Sequence, residues 1–333
     1  MLVLGIESSC DDAAAAVIET TRPDAATVRA SAVVNQDDIH RAYGGIVPEL
    51  ASRNHVLTIM PVVERTLTTA GCGLSDLDGI AVTRGPGLVG SLLVGLMTAK
   101  GLAQATGLPM VGVNHLEGHL LAPLVEHEVT MPYLALVVSG GHSAIFAVED
   151  FGHYRRLGST RDDAAGEAFD KVAHLMGLGY PGGKAIDELA RRGNPRRVRI
   201  PRARVKGAPL DLSFSGVKTA VAVFLSHDHG ATQPADLAAS FQDAVVDMLV
   251  RPALVAAEEI NASTIALTGG VAANSRLRAV LDEAARAAGR RLVAPSLKYC
   301  TDNAAMIAMA GAYRLLRGER DPLTLDAVAN LPL

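Results

Sequence analysis

The residues best suited to chemistry are two histidines, His115 and His119, in the run His-Leu-Glu-Gly-His. On a helix, side chains four positions apart project from one face, so both imidazoles can bind one divalent metal ion. The zinc-protease signature has a Glu directly after the first His. Here Leu116 holds that position and Glu117 follows it. The spacing predicts a metal site and argues against a protease of that class, with a pair of helix-surface histidines as the alternative.

A third ligand has to come from a distant part of the chain, and Asp302 is the candidate. It lies at the start of the last predicted helix, where the helix dipole favours a carboxylate. From the spacing alone, an ordinary acid at a helix N-terminus is the simpler interpretation. Two histidines and one carboxylate would leave coordination positions open for a substrate.

Three glycine-rich turns are candidates for binding a nucleotide, because backbone N–H groups there can approach phosphate or ribose oxygens. They are Ser139-Gly140-Gly141, Tyr180-Pro181-Gly182-Gly183 and Thr268-Gly269-Gly270. None fits the dinucleotide fingerprint or the P-loop pattern, which argues against both of those sites. Asp170 and Asp187 could bind ribose hydroxyls beside the second turn, although a solvated helix face explains the acidic segment 162–171 more simply.

The elements that must position these residues alternate between strand and helix. Strands are predicted at 2–6 and 13–18 around a polar turn, and the same unit of strand, small polar turn and strand recurs at 133–148. This repeat predicts a duplicated α/β lobe with a phosphate-handling turn in each copy, and two unrelated hairpins are the alternative. Further strands are predicted at 79–83, 110–113 and 265–267, and helices at 49–70, 88–105, 164–177, 183–192, 215–226, 235–259, 273–288 and 302–317.

The composition narrows the class of protein. The chain has 333 residues, 49% of them hydrophobic, so two domains with substantial cores are expected. Only 4% are aromatic and the net charge is −4, which argues against stacking platforms for nucleic acid and against a surface that coats it throughout. Three cysteines without C-x-x-C spacing indicate a reducing cytosol. Neither a signal peptide nor a membrane span is predicted, so we expect a cytoplasmic protein.

An ordered string of motifs runs from residue 1 to about 310. The string comprises Gly5-Ile-Glu-Ser-Ser-Cys-Asp11, His40-x-x-x-Gly-Gly-Ile-Val-Pro48, Ser52-Arg-x-His55, Gly85-Pro-Gly-Leu88, His115-Leu-Glu-Gly-His119, Val138-Ser-Gly-Gly-His142, Gly166-Glu-Ala-Phe-Asp-Lys171, Phe214-Ser-Gly-Val-Lys-Thr219 and Gly269-Gly-Val-Ala-Ala-Asn274. In order and spacing it resembles the bacterial branch of the Kae/Qri family, the tRNA threonylcarbamoyladenosine biosynthesis proteins. Composition and periodicity do not carry this resemblance; the motif order does.

The resemblance implies the fold of the actin/sugar-kinase/Hsp70 (ASKHA) superfamily. In that fold, two duplicated lobes, each a mixed sheet flanked by helices, surround a central nucleotide cleft. For this chain we expect a first lobe of residues 1–113, completed by about 303–333, and a second lobe of 114–302 that carries the metal and nucleotide-binding motifs.

The resemblance also implies a reaction, the transfer of L-threonylcarbamoyl from threonylcarbamoyl-AMP to N6 of adenosine 37 in tRNAs that read ANN codons, with release of AMP. The family's metal ligands fall on His115, His119 and Asp302, and the expected ion is Fe²⁺, with Zn²⁺ as the alternative, orienting and polarising the donor. The family's substrate contacts fall on Val138, Ser139, Gly140, Gly141, His142, Asp170, Gly183, Asp187 and Asn274.

The general base is sought on the turn after the first strand, where Glu7, Asp11 and Asp12 are candidate catalytic residues and Asp12 is the first choice. The family commonly has Glu where this chain has Asp12. Arg84 stands where a small residue is expected.

Expected partners follow from the resemblance: the paralogue TsaB in a heterodimer, the ATPase TsaE, and TsaC as the upstream source of the adenylate. The stretch 56–70 is a candidate helix for the paralogue contact, although packing within the lobe is the simpler interpretation. An ATP-dependent kinase or ATPase of the same fold would explain the glycine turns but not the histidine pair. A non-catalytic partner subunit should be shorter and lack the pair, and an endopeptidase does not fit the position of Glu117.

One segment departs from the acidic average of the chain. Between residues 191 and 206, eight of sixteen residues are basic and none is acidic: Arg191, Arg192, Arg196, Arg197, Arg199, Arg202, Arg204 and Lys206. We interpret this basic strip as a contact for tRNA phosphates, with a solvated basic loop as the alternative.

Overall fold

The computed structural model describes residues 1–22, 25–228 and 230–333, which form two compact units. The first unit comprises Met1–Glu128 and Pro295–Leu333, and the second comprises Val129–Ala294. The boundaries expected from the sequence, at 113 and 303, differ from these. Residues 114–128 and 295–302 belong to the first unit, so both histidines of the pair and Asp302 lie there and not in the second lobe.

In chain order the strands of the described residues are β1 (Leu2–Glu7), β2 (Ala13–Arg22), β3 (Ala25–Val34), β4 (Gly79–Gly85), β5 (Met110–Asn114), β6 (Tyr133–Val138), β7 (Ser143–Asp150), β8 (His153–Ser159), β9 (Thr264–Thr268) and β10 (Arg291–Val293). The α-helices are α1 (Asp37–Arg41), α2 (Pro48–Ala70), α3 (Val89–Thr106), α4 (His115–Leu121), α5 (Ala165–Leu175), α6 (Gly182–Ala190), α7 (Ser215–Asp228), α8 (Pro234–Glu259), α9 (Ser275–Ala287), α10 (Leu297–Cys300) and α11 (Ala304–Leu316). No helix among them is both long enough and apolar enough to cross a membrane.

Each unit contains one mixed sheet, and the two sheets have the same topology. The strand order is β3-β2-β1-β4-β5 in the first unit and β8-β7-β6-β9-β10 in the second. In both sheets the first three strands in sequence are antiparallel neighbours, the fourth strand pairs with the first in parallel, and the fifth pairs with the fourth in parallel. The prediction of duplicated α/β lobes with mixed sheets and flanking helices is thereby confirmed.

The first sheet is covered by helices on both faces, because its central strands β1 and β4 are apolar and buried up to the polar residues at their carboxyl ends. One face of β1, with Leu4 and Ile6, packs in a cluster with residues of α2 and α3 such as Ile59 and Leu96. The other face meets α11, which is made largely of Ala and Met and is almost entirely buried. A Cβ atom on Gly5 would lie 2.2 Å from the carbonyl oxygen of Ala304, so α11 approaches β1 closely because residue 5 has no side chain.

This close approach makes Gly5 sensitive to substitution. Gly5→Ala should lower the free energy of unfolding by about 1–3 kcal/mol, since the new methyl group meets helix backbone that has to move. Urea denaturation followed by circular dichroism measures the change. Gly101→Ala in the exposed part of α3, where an added Cβ meets no atom within 4 Å, is the control and should leave stability equal or higher by up to about 1 kcal/mol. Equal stability of both variants would contradict this account of the α11 packing.

Candidate metal centre and active site

The histidine pair lies on the short helix α4, directly after β5. Asn114, the last residue of the strand, caps the helix because its side-chain oxygen accepts a hydrogen bond from the backbone N–H of Leu116 (2.9 Å). One helical turn separates the two histidines, whose ring centroids are 4.7 Å apart and whose planes are nearly perpendicular. Both rings are buried, so they are available only to an atom held inside this site.

Asp302 reaches the pair from the turn between α10 and α11. Its Oδ1 lies 3.5 Å from Nε2 of His115 and 3.2 Å from Nε2 of His119. One potential ligand atom from each of the three side chains falls within 4.8 Å of the others. Two imidazole nitrogens and one carboxylate oxygen suit a divalent transition metal. These three residues could therefore hold a metal ion, and the partly exposed Asp302 leaves a side open to a further ligand.

The loop that carries Asp302 is held in place from both ends. Before it, the carboxylate of Glu126 accepts hydrogen bonds from the backbone N–H (2.6 Å) and hydroxyl (2.8 Å) of Ser296. After it, the buried Asn303 caps α11 by accepting from the N–H of Met306 (3.0 Å) and donates to the carbonyl of Thr301 (2.8 Å). The carboxylate of Asp302 is thus presented by a fixed backbone, as a metal ligand requires.

Behind the histidine pair lies the carboxylate of Glu7, at the end of β1. Its Oε1 accepts from the backbone N–H of Ser9 (2.5 Å), and its Oε2 accepts from the hydroxyl of Thr83 (2.6 Å). The same Oε2 lies 3.1 Å from Nδ1 of His115, and the hydroxyl of Ser9 lies 3.1 Å from that nitrogen. Glu7 therefore contacts the side of the His115 ring that faces away from Asp302.

The charged groups of this cluster shift one another's pKa values. Burial raises the pKa of Glu7, but the charge and hydrogen bond of His115 outweigh it, so the pKa lies below its usual value. Burial lowers the pKa of His115, but the carboxylates of Asp302 and then Glu7 outweigh it and hold the pKa at about 9. The ring is therefore protonated near neutral pH, and a metal ion bound at Nε2 would have to replace the proton on that nitrogen.

The two aspartates of the turn after β1 are less deeply buried than Glu7. Burial, followed by the nearby carboxylates of Asp302 and Asp11, raises the pKa of Asp12 to about 8. Burial also raises the pKa of Asp11. No hydrogen bond or ion pair to another described residue occupies the Asp12 carboxylate, whereas Glu7 is fully engaged. Of the three candidates for the general base, Glu7 is thus the one whose carboxylate is taken up by hydrogen bonds within the protein.

The predicted substrate residues all lie in the second unit, and several are joined by hydrogen bonds or close contacts. The turn after β6 is closed by a hydrogen bond from the N–H of His142 to the hydroxyl of Ser139 (3.1 Å), and Gly269 packs against the carbonyl of Val138. The carboxylate of Asp170 accepts from the N–H of Gly182 (2.8 Å), at the residue before Gly183. The structure therefore brings the turns after β6 and β9 together, and it places Asp170 against the turn at 180–183.

Asp187 and Asn274 are already engaged with the protein. Oδ1 of Asp187 accepts from the hydroxyl of Ser275 (2.8 Å), and Oδ2 pairs with Arg191 (3.0 Å). Asn274 caps α9 and donates to the side chain of Gln242 (3.1 Å). Any contact of these two residues with a nucleotide would use their remaining hydrogen-bonding capacity.

Several residues around these sites carry no spacing signal in the sequence. Ser9, Thr83 and Gln242 are single polar residues that only the fold brings to the cluster or the turns. The departure at Arg84 has a packing explanation, because an added Cβ on Gly112 would lie 2.9 Å from the Cδ of Arg84. The arginine stem covers a glycine of the neighbouring strand.

Comparison with known proteins identifies the family. The model of the family TsaD, tRNA N6-adenosine threonylcarbamoyltransferase, matches residues 27–309. The chain belongs to the TsaD family. Relatives that carry the same description cover nearly the whole chain. The protein of Anaeromyxobacter dehalogenans strain 2CP-C is 56% identical over 98% of this chain and 97% of its own length, and that of Moorella thermoacetica is 51% identical over 99% and 97%.

Solved structures share the TsaD-family fold at much lower identity. The HypF protein of T. kodakarensis superposes with a TM-score of 0.64 over 95% of this chain and 48% of that chain, at 14% identity. Component A of the (R)-2-hydroxyglutaryl-CoA dehydratase of Acidaminococcus fermentans gives a TM-score of 0.56 over 95% and 99%, at 15% identity. These likenesses support the fold alone. The predictions of the family and of a transferase that acts on tRNA are confirmed by the family match.

Proposed function

We propose that this chain transfers L-threonylcarbamoyl from threonylcarbamoyl-AMP to N6 of adenosine 37 in tRNAs that read ANN codons. A bond forms between N6 and the carbamoyl carbon, the bond from that carbon to the phosphate oxygen breaks, AMP leaves, and one proton leaves N6. Membership of the TsaD family supports the reaction. The observation that carries the chemistry is the convergence of His115, His119 and Asp302 on one point.

The proposed metal ion is Fe²⁺, with Zn²⁺ as the alternative, since a site of two nitrogens and one oxygen suits either. When bound, the ion supplies a Lewis acid that orients and polarises the donor. His115, His119 and Asp302 would hold it. The partly exposed Asp302 marks the side from which the donor would approach.

The remaining steps fall to the chain's own residues. Asp12 is the proposed general base that accepts the N6 proton, because its carboxylate is unengaged and its pKa of about 8 lies close to the working pH. The backbone of the Ser139-Gly140-Gly141 turn would stabilise the charge of the departing phosphate, beside Val138 and His142. Asp170, Gly183, Asp187 and Asn274 are the proposed contacts of the adenosine part. AMP is a good leaving group and needs little acid assistance.

A reconstituted transfer assay tests the metal and the base separately. His119→Ala should lose both bound metal and transfer to tRNA. Asp12→Asn should keep the metal and lower the transfer rate by about 10²–10⁴-fold, because only the proton acceptor is removed. Metal content is measured by inductively coupled plasma mass spectrometry and the product by nucleoside chromatography, with preformed threonylcarbamoyl-AMP as the donor.

The control variant is His174→Ala, which removes an exposed histidine of α5 and should change neither quantity. A wild-type rate in the metal-free His119→Ala protein would rule out the proposed metal role, and a wild-type rate in Asp12→Asn would rule out the base. Transfer from ATP alone, without the adenylate, would favour the rival ATPase or kinase function.

We propose that the protein acts in the cytoplasm. We also propose that the basic strip, residues 191–206, contacts tRNA. All eight basic side chains are exposed, while the intervening Val198 and Ile200 are buried and anchor the segment. Arg191 pairs with Asp187, and Arg202 pairs with Asp243 and Asp247. The other six carry positive charge without an ion pair to any described residue: Arg192, Arg196, Arg197, Arg199, Arg204 and Lys206. A row of unpaired basic side chains on an anchored segment is suited to binding the phosphate backbone of tRNA.

Neutralising part of the strip should weaken tRNA binding and its salt dependence. Replacing Arg196, Arg197, Arg199 and Arg204 by Gln should reduce the slope of log affinity against log salt by up to about 1 per lost contact. Fluorescence anisotropy with labelled tRNA at several salt concentrations measures this, and threonylcarbamoyl-AMP binding should not change. The matched control replaces four exposed arginines elsewhere, Arg29, Arg65, Arg286 and Arg317. If the strip variant keeps wild-type affinity and slope, the strip is only a solvated loop.

We also propose that the paralogue TsaB binds the outer surface of α2 and α3, with TsaE as a further partner and TsaC as the source of the adenylate. Large apolar side chains are exposed on both helices, among them Leu57 on α2 and Val89, Leu93 and Met97 on α3. The three on α3 follow one another at intervals of four residues and form a stripe. An apolar stripe of this kind on a surface is typical of an interaction site.

A charge within the stripe should prevent the heterodimer. Leu93→Glu and Met97→Glu together should weaken TsaB binding by about 30-fold or more, because two buried contacts are replaced by desolvated carboxylates. Size-exclusion chromatography and titration calorimetry of the co-expressed pair measure the loss. Val223→Glu, at an equally exposed apolar residue of α7, is the control. Unchanged binding of the stripe variant would place the paralogue elsewhere.

A further inference from the structure

His115 uses its two ring nitrogens for different purposes. Nε2 faces Asp302, and Nδ1 faces both Oε2 of Glu7 and the hydroxyl of Ser9, each at 3.1 Å. A neutral imidazole carries one proton, so Nε2 can bind a metal only when that proton is on Nδ1. An ionised carboxylate can only accept a hydrogen bond, and one placed at Nδ1 therefore keeps the proton there.

The carboxylate of Glu7 is itself fixed in this orientation. Oε1 is held by the backbone N–H of Ser9 and Oε2 by the hydroxyl of Thr83. The side chain is almost completely buried, so water does not compete for its oxygens. Both oxygens are thus committed to donors from the turn after β1, from β4 and from α4, and neither is left to take a proton from a substrate.

We propose that Glu7 is a positioning residue that keeps the proton of His115 on Nδ1 and thereby sets the metal affinity of the site. This inference rests on the proposed metal role of His115, and it replaces the candidate role of Glu7 as a base. His119 differs, because its buried Nδ1 has no hydrogen-bond partner within the described residues. The restraint on proton position therefore acts on one of the two histidine ligands.

Glu7→Gln tests the proposal with little change in volume. The amide oxygen can still accept from Ser9, but the amide NH₂ then faces Nδ1 of His115 and favours the ring form with its proton on Nε2, where it competes with the metal. Affinity for Co²⁺, followed by its visible absorption, and for Zn²⁺ by competition, should fall by about 10–100-fold. Because only affinity is lost, transfer should recover when the metal is saturating.

Thr83→Val is the graded comparison. It removes one of the hydrogen bonds that orient the Glu7 carboxylate but leaves an acceptor at Nδ1 of His115, so it should lower metal affinity much less than Glu7→Gln does. It should keep metal affinity within a few-fold of the wild type. Thermal unfolding of the metal-free proteins separates loss of fold from loss of affinity. Wild-type affinity in folded Glu7→Gln would overturn the proposal, and so would an equal loss in Thr83→Val. The two proposals can also fail separately. If the wild type transfers nothing to tRNA, the proposed function is refuted, but weaker metal binding by Glu7→Gln would still support the positioning role.

Discussion

A carboxylate that is only 1% exposed has to satisfy its charge within the protein, and at Glu7 this requirement organises the site. The donors come from three elements: the N–H of Ser9 after β1, the hydroxyl of Thr83 in β4 and the ring of His115 after β5. β1, β4 and β5 run parallel, so their carboxyl ends meet at one edge of the sheet. Each strand delivers one polar group to that edge, which is where ligands bind in open α/β sheets.

The fourth contribution, Asp302, depends on how closely α11 can approach this sheet and α4. Gly5 and Gly118 make the approach possible, because a Cβ at either position would lie within 3 Å of α11 atoms. The low aromatic content and the abundance of alanine thus allow α11 to pack closely against the sheet and α4. Small residues bring a distant carboxylate to the histidine pair, which larger side chains in α11 or β1 would keep apart.

Much of this arrangement can be predicted from the sequence. The i, i+4 spacing predicts the histidine pair, and the repeated strand–turn–strand unit predicts the duplicated lobes. Asp302 follows only from the resemblance, since nothing local separates it from an ordinary helix-capping acid. The edge strands β3, β8 and β10 are not predicted, because β8 is rich in exposed polar residues and β10 has three residues. The sequence offers Glu7 as one of three candidate bases, but it does not reveal that both oxygens of this carboxylate accept hydrogen bonds within the protein.

The second unit is one uninterrupted segment, whereas the first unit is assembled from both ends of the chain. During synthesis, β1 to β5 and α4 therefore leave the ribosome before the helix that covers them exists. At about 5–20 residues per second, the interval between Glu128 and Asp302 lasts roughly 9–35 s, which gives the inserted unit time to fold first. During that interval the face of β1 that α11 later covers has no helix packed against it. The cluster of His115, His119 and Asp302 therefore forms only after the whole inserted unit has been made, although two of its three members are made before that unit.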